Sequence, residues 1–386
     1  MANANLSAAK NANLSAAKNA KNDEFYTQLA DIEREMNAYL EYDPDVFKDK
    51  VILLPCDDPE WSNFAKFFAL HFTDYGLKKL ISTSYAQDSK PAGIPYQPSL
   101  FETEAPQFDE DRTRTNGKMF VLERKDINGD GVINIDDLQW KYLHGDGDFR
   151  SAEVTALRDE ADVIVTNPPF SQFRDFLAWI MDGGQRFLIL GNMNAITYKK
   201  VFPLIRDNHM WLGVSKGARD FTLPGGDTQT LGNTTWFTNL DHGRRHQPIP
   251  LMSEADNVKF SRHKQVRGVG YRRYDNYDAI EVGFVDAIPS DYDGVMGVPI
   301  SFLDKYDPDQ FEILGLSGTH YPTTKTYGKK ERVVDGVRKK SNTGTLGCVV
   351  RTESFGAGTH FDVGYPVRGI YRRIFIRHRN PEPKKG

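Results

Sequence analysis

The sequence predicts an α/β fold: a mostly parallel sheet with helices on both faces and one antiparallel strand pair, then a smaller carboxy-terminal α+β domain. Three observations predict it. Short apolar runs alternate with helix-length amphipathic segments over roughly the first 240 residues, which is the pattern of a parallel sheet covered on both sides. Beyond about residue 241 the alternation fades and Gly, Arg and Tyr dominate. A chain of 386 residues with 39% hydrophobic and 26% charged side chains can build one large core and a smaller one.

Residues 3–10 and 11–18 are the same octamer, NANLSAAK. Two copies of eight residues cannot stack into a solenoid, so 1–21 is expected to be a tail without chemistry. Leu29, Ile32, Met36 and Leu40 have the spacing of one helix face. VILLPC (51–56) predicts a buried strand, NFAKFFALHF (63–72) a helix and LISTSY (80–85) a second strand. Residues 86–117 are rich in Pro, Gln, Ser and Thr and predict irregular structure, within an insertion near 86–145. DVIVTN (162–167), a helix from Gln172 to Met181 and RFLILGN (186–192) resume the alternation. NAITYKKVFPLI (194–205) is expected to be helical despite Pro203, and WLGV (211–214) to return to the sheet. FTL (221–223) and TTWFTNL (234–240), joined by a Gly-rich turn, predict the antiparallel pair. The expected domains are therefore 22–240 and 241–386.

No apolar run approaches the roughly 20 residues that span a bilayer. The Asn/Ala/Ser/Lys-rich amino terminus lacks the apolar core of a signal peptide. Cys56 and Cys348 lie far apart and suggest no disulfide framework. A cytoplasmic protein with no membrane partner is expected. The net charge of −4 hides an uneven distribution. Lys325 to Lys340 carries seven basic residues against two acids, and Val367 to Gly386 seven against one. Arg262, Lys264, Arg267, Arg272 and Arg273 form a third cluster, interleaved with Tyr271 and Tyr274. Such a carboxy-terminal domain suits a polyanion, with Arg272, Arg273, Lys329, Lys330, Arg338, Lys339 and Lys340 as candidate contacts. Solvated surface charge is the alternative.

The segment that carries chemistry is Asp162-Val-Ile-Val-Thr-Asn-Pro-Pro-Phe170. An apolar strand ends at Asn167, which puts the next residues at the carboxyl edge of the sheet, where open α/β folds bind ligands. Pro168 and Pro169 remove two backbone donors and hold the chain extended. Acceptors remain: the Asn167 side-chain oxygen and the Pro168 carbonyl. Two fixed acceptors can hold both hydrogens of an exocyclic amine and aim its lone pair at an activated methyl group. Phe170 offers a flat face for a planar base. A plain Asn-Pro turn is the alternative.

The order of motifs narrows this further. DEFYTQ (23–28), CDDPEWSNF (56–64), GDGDFRS (145–151), NPPF (167–170) and GVPISFLDKYDPDQFEILG (297–315) together resemble the EcoRI-type adenine-specific DNA methyltransferase family, from about Asp23 to the end. The resemblance implies a Rossmann-like methyltransferase sheet with a smaller DNA-recognition domain. It also implies S-adenosylmethionine as cofactor and duplex DNA as partner, with methyl transfer in line to a flipped-out adenine. Phe25, Tyr26 and Thr27 would close over the methionine part of the cofactor. Asp57, Asp58 and Pro59 stand where most relatives of this class carry a Gly-rich loop, which leaves open which groups hold the cofactor there. Asp148 and Phe149 would take the cofactor adenine, and Asn167, Pro168, Pro169 and Phe170 would form the catalytic loop. Core packing is the alternative for Phe25 and Tyr26, and a helix cap for Asp57 and Asp58. A companion restriction endonuclease would fit the same family. Two other functions stay open: methyl transfer to RNA or protein glutamine, and a non-catalytic DNA-binding protein on this scaffold.

Asp126 to Asp137 carries a second pattern. Asp126, Asn128, Asp130 and Asp137 fall at positions one, three, five and twelve of a calcium loop, with Gly131 at six and the Val132 carbonyl at seven. A structural calcium site followed by a helix in DDLQWKYL (136–143) is one reading. An Asp/Asn/Gly-rich surface turn is the other.

Overall fold

The structure, a computed structural model, describes residues 26–59, 62–86, 88, 100–223, 227–328, 331–339 and 347–384. The expected tail, Phe25, Lys329, Lys330 and Lys340 lie outside these. The chain divides into two compact units. One comprises the chain up to Ile196 together with Met210–Gly243, and the other Thr197–His209 together with the chain from Arg244 onward.

The first unit is built on a nine-stranded sheet. Its strands are β1 (Tyr26–Thr27), β2 (Val51–Leu54), β3 (Lys79–Ser84), β4 (Lys118–Glu123), β5 (Gln139–Tyr142), β6 (Val163–Thr166), β7 (Arg186–Asn192), β8 (Trp211–Thr222) and β9 (Thr228–Thr238). Their order is β1-β8-β9-β7-β6-β2-β3-β4-β5. The four central strands β7, β6, β2 and β3 run parallel. β2 and β6 are buried along their whole length, as continuous Val/Ile/Leu runs require. Helices at Leu29–Tyr42, Asn63–Leu70, Ala152–Glu160 and Phe173–Gly183 accompany the sheet.

The fold is mixed α/β, as expected, but antiparallel strands extend the sheet at both edges. The expected single antiparallel pair is present as β8 and β9, where WLGV and FTL prove to be two ends of one 12-residue strand. The second antiparallel edge comes from the insertion: β4 and β5 pair beyond β3, burying alternate residues such as Phe120, Leu122, Trp140 and Tyr142. The expected helix over 194–205 is broken into a short 3-10 turn and Phe202–Arg206, with Pro203 in the first turn of the latter, where a missing donor costs nothing.

In the calcium-like loop, the segment after Asp137 is strand β5, not the expected helix. The loop's oxygens face its own amides: Asp126 accepts from Gly129 and Gly131, Asn128 from Asp130, Asp130 from Val132, and Asp137 from Ile127, Asn128 and Asn134. Among the described residues no group of three or more His, Cys, Asp or Glu side chains could hold a metal ion. The calcium expectation is corrected to the surface-turn reading.

The second unit holds two smaller sheets. One orders β10 (Ile280–Glu281), β11 (Met296–Val298), β18 (Ile374–His378) and β12 (Phe311–Leu316). The other orders β14 (Val337–Lys339), β13 (Glu331–Val334), β16 (Thr359–Asp362), β17 (Pro366–Ile370) and β15 (Cys348–Arg351), all antiparallel. Tyr274, Tyr277, Ala279, Cys348, Val350 and Phe375 pack into one buried cluster. No helix among the described residues is long and apolar enough to cross a membrane.

Candidate active site at the carboxyl edge of the sheet

β2 and β6 are hydrogen-bonded neighbours, so the residues that follow them emerge side by side. After β2 the chain turns at Cys56, which adopts φ +67°. That left-handed conformation is uncommon for a side chain other than Gly or Asn and persists only where its surroundings fix it. They do: the Cys56 amide donates to Thr83 Oγ1 at 3.2 Å, and Ser82 Oγ donates to the Asp57 carbonyl. The turn is thus made with cysteine and held by hydroxyls of the neighbouring strand.

Asp57 follows, buried. Its Oδ1 accepts from Ser62 Oγ at 2.6 Å, and its Oδ2 from Thr166 Oγ1 at 2.5 Å. Thr166 Oγ1 also lies 3.0 Å from the Pro55 carbonyl. Burial pushes the Asp57 carboxyl up to about 7; the two hydroxyl hydrogen bonds oppose the shift, and Asp58 adds to it. Ser62, not Asp57 or Asp58, caps the Asn63–Leu70 helix, accepting from the Phe64 and Ala65 amides. Asp58 and Pro59 are buried in the same turn, and the Asp58 carbonyl accepts from the Ser62 amide at 2.7 Å. One buried chain, Ser62–Asp57–Thr166, therefore joins the turn after β2 to the last residue of β6.

The next residues are the candidate catalytic ones. Asn167, Pro169 and Phe170 are half-buried and Pro168 is buried. The Pro169 carbonyl accepts from the Gln172 amide at 2.9 Å, which starts the turn into the Phe173–Gly183 helix. Phe170 meets the buried Phe221 of β8 edge to face, with ring centroids 6.4 Å apart. In β1, Thr27 pairs with Phe221 of β8, and the Thr27 carbonyl accepts from Asn63 Nδ2 at 2.8 Å. Thr27 Oγ1 is buried and has no hydrogen-bond partner, a donor and acceptor left over beside the turn after β2. Tyr26 is half-buried.

The end of β3 meets the GDGDF segment. The Ala86 amide donates to the Asp146 carbonyl at 2.8 Å. Gly147 has φ +89°, and a Cβ there would lie 2.5 Å from the Ser84 carbonyl oxygen, so only glycine allows this approach. Tyr85 is hydrogen-bonded with the Cys56 side chain and the Phe149 backbone; burial, then the neighbouring Cys56 and Asp148, push its hydroxyl far above the usual range. Asp148 accepts from Arg150 at 2.5 and 2.9 Å, which holds its carboxyl below the usual range. Phe149 is fully buried, edge-on to Phe176 at 5.0 Å and Trp179 at 5.6 Å.

The structure thus brings Asp57, Asp58, Pro59 and the Asn167–Phe170 loop to the ends of the adjoining strands β2 and β6, with Tyr85 after the neighbouring β3 and Asp148 close to it, while Thr27, on the edge strand β1, is tied to the start of the Asn63–Leu70 helix through Asn63. Sequence reasoning missed Ser62, Ser82, Thr166 and Tyr85. Their one signal was a hydroxyl at or just beyond a strand end or helix start, in STSY, SNF and VTN.

In the second unit the basic candidates divide. Arg273 pairs with Asp278 at 2.6 Å, and Arg338 with Glu331 and Asp362. Arg272 and Lys339 are exposed. Lys325, within one predicted cluster, lies 3.4 Å from Asp275. Burial raises that carboxyl, but hydrogen bonds from Tyr365, Arg351 and Tyr327 together with Lys325 hold it well below its usual range.

Comparison with known proteins identifies the family. The family described as adenine-specific methyltransferase EcoRI matches residues 13–355. The chain is 40% identical to the Type II methyltransferase M.EcoRI of Escherichia coli over 311 residues, 76% of this chain and 86% of that protein. It is 33% identical to the Type II methyltransferase M.MpnI of Mycoplasma pneumoniae over 324 residues, 79% of this chain and 86% of that one. A Type II methyltransferase of Mycoplasma genitalium, M.MgeORF184P, is 30% identical over a similar span. No solved structure matches. The chain belongs to the EcoRI family of adenine-specific methyltransferases.

Proposed function

We propose that this enzyme methylates the exocyclic amino nitrogen of adenine in duplex DNA, within a specific sequence, using S-adenosylmethionine. The observation that carries the mechanism is the Asn167–Phe170 loop at the end of β6, tied back through Thr166 and Asp57 to the turn after β2. Bound cofactor supplies an electrophilic sulfonium methyl group. The residues present fit it: a strained turn at Cys56, the buried Thr27 hydroxyl without a partner, and Asp58 and Tyr85 at neighbouring strand ends. We assign Tyr26, Thr27, Asp58 and Pro59 to that group, with Asp148 at its edge.

Asn167 Oδ1 and the Pro168 carbonyl accept the two amine hydrogens and hold the nitrogen lone pair free. Pro168 and Pro169 offer no competing donors, and Phe170 covers one face of the base. Positioning supplies most of the rate, since two aligned reactants react with effective molarities of about 10⁵ M or more. The base leaves the helix to reach the loop, at a cost of a few kcal/mol. Asp57 acts behind this loop by fixing Thr166, since it is buried and accepts from Ser62 and Thr166. The second unit binds the target duplex. The names of the relatives, Type II methyltransferases, support a cytoplasmic partner of a restriction endonuclease acting on the same site.

The test is methyl transfer from labelled S-adenosylmethionine to unmethylated duplex DNA, with digested nucleosides identified by mass. N6-methyladenine is expected. Methylcytosine would overturn the base assignment, and transfer only to RNA or protein would overturn the substrate.

A further inference from the structure

The strongest unassigned feature of the second unit is Tyr371, 91% exposed in the three-residue loop between β17 and β18. A large exposed ring is unremarkable alone. Its mounting is what needs explanation. The Arg373 amide donates to Ser317 Oγ at 2.9 Å, and the Arg373 carbonyl accepts from the Ser317 amide at 2.9 Å. The Arg373 guanidinium pairs with Glu281 at 2.7 Å. Arg372 reaches the Thr197 carbonyl at 3.5 Å, and His320, stacked on Phe202, reaches the Lys199 carbonyl at 3.3 Å. The loop is pinned on both sides while the ring at its tip touches water. Holding an aromatic out rigidly forgoes burial but spares the ordering entropy that binding would otherwise cost.

The loop's own acid partner, Glu281, is taken up by Arg373, while four cations on the loop's flanks and supports are not matched by acids. Arg368, Arg372, Lys199 and Lys200 are exposed, and none pairs with a carboxylate among the described residues. This sets them apart from Arg273 and Arg338, which the sequence suggested and acids neutralise. A cationic rim around a rigid, projecting ring complements a polyanion that also presents flat apolar faces.

Resting on the DNA reading above, we propose that this surface docks the target duplex: Tyr371 stacks against or wedges beside a base, while Arg368, Arg372, Lys199 and Lys200 hold phosphates. Stacking of a base on an aromatic side chain tolerates any sequence, so Tyr371 contributes affinity and DNA distortion more than base identity.

The test measures equilibrium binding of the full chain to a labelled, unmethylated genomic duplex over a range of salt, by fluorescence anisotropy. Cofactor binding and melting temperature serve as controls for folding. Tyr371→Ala is expected to weaken binding about tenfold, within the range seen when a stacking aromatic is removed. Tyr371→Phe should keep wild-type affinity, because the face is retained. The triple variant Lys199→Ala, Lys200→Ala and Arg372→Ala should lower the slope of log affinity against log salt by about 0.9 for each phosphate no longer neutralised. Wild-type affinity in Tyr371→Ala, with an unchanged slope in the triple variant, overturns this inference while leaving the enzyme's DNA reading intact. A wild-type chain that binds cofactor but no duplex overturns both.

Discussion

Two of the carboxylates buried in the first unit, Asp57 and Glu35, do different work. Asp57 lies at the carboxyl edge of the parallel strands and accepts from two side-chain hydroxyls. Glu35, on the Leu29–Tyr42 helix, accepts from the Val214 and Ser215 amides at 2.7 and 2.8 Å, from Ser215 Oγ at 2.7 Å and from Tyr39 at 3.0 Å. Those amides sit where the β8–β9 register slips between Leu212 and Lys216. Glu35 thus satisfies backbone donors that the bulge takes out of the ladder. Gly213 leaves it room, since a Cβ there would lie 2.1 Å from Glu35 Oε1. Burial raises both acids above their usual range. One holds a backbone irregularity closed. The other links two strand ends through hydroxyls that any small shift would re-aim. Glu35 takes backbone amides that the ladder has lost as well as hydroxyls, whereas Asp57 takes hydroxyls alone, at a strand end.

The largest effect should come from the loop that Asp57 supports. Asn167→Ala removes an acceptor for the target amine and should lower turnover by about 10² to 10³, the loss seen when one preorganised polar group is deleted from an active site. Cofactor binding, followed by isothermal titration, should change little. Near wild-type turnover would break the comparison, since the network would then support nothing catalytic.

At the other carboxylate the effect falls on stability. Glu35→Ala leaves the Val214 and Ser215 amides buried without an acceptor, at about 1–3 kcal/mol each, so a loss of about 4 kcal/mol is expected. For a unit of this size that lowers the melting temperature by about 10 °C. Calorimetry reads it directly, and turnover of the fraction that stays folded at 20 °C should be retained. Lost turnover with an unchanged melting temperature would reverse the two roles.

The pH dependence sharpens the contrast. Asp57 stands near 7 in the folded chain against an ordinary 3.8, so the native state holds its proton more tightly than the unfolded chain. Its contribution to stability is present in full at the bottom of that interval and is lost as pH rises through 7. Asp57→Asn removes this loss. The variant should gain in melting temperature on the wild type between pH 4 and 7 and hold a constant lead above. Glu35 shifts in the same direction but is common to both proteins, so the difference isolates Asp57. A constant gap across that range would mean that Asp57 is ionised throughout, held so by Ser62 and Thr166.

What could be read beforehand follows the same division. β2, β3, β6 and β7 were legible because buried parallel strands are unbroken apolar runs, and NPPF because consecutive prolines after such a run are rare in any other setting. Glu35 was not, because a charge between Ile32 and Met36 looks like the polar flank of an amphipathic helix; only the bulge it faces explains it. Strands β4 and β5 were hidden in an insertion whose polar turns outweighed its alternating apolar residues. In the second unit, runs of Lys and Arg showed the charge but not its partners. Asp275 and Asp362 reach Lys325 and Arg338 across distances in sequence that no local pattern reports, and Asp278 and Glu331 pair with Arg273 and Arg338 only because the chain turns back between them.

A third kind of carboxylate gives the smallest expected effect. In the Asp126–Asp137 loop Asp126 and Asp130 lie in a surface turn and Asp137 is buried beneath it, and their oxygens accept from amides of that same turn. Such bonds close the loop without a cation, and strand β5 leaves it where a calcium site of this type would continue into a helix. A ligand that binds only the folded state at a hundred times its dissociation constant stabilises by about 2.7 kcal/mol, a shift easily seen in melting. Millimolar calcium should therefore leave the melting temperature where it is, and Asp126→Asn should not change that response. A calcium-dependent rise abolished by the substitution would show that these acids, unlike Glu35, close their turn only as a substitute for a metal.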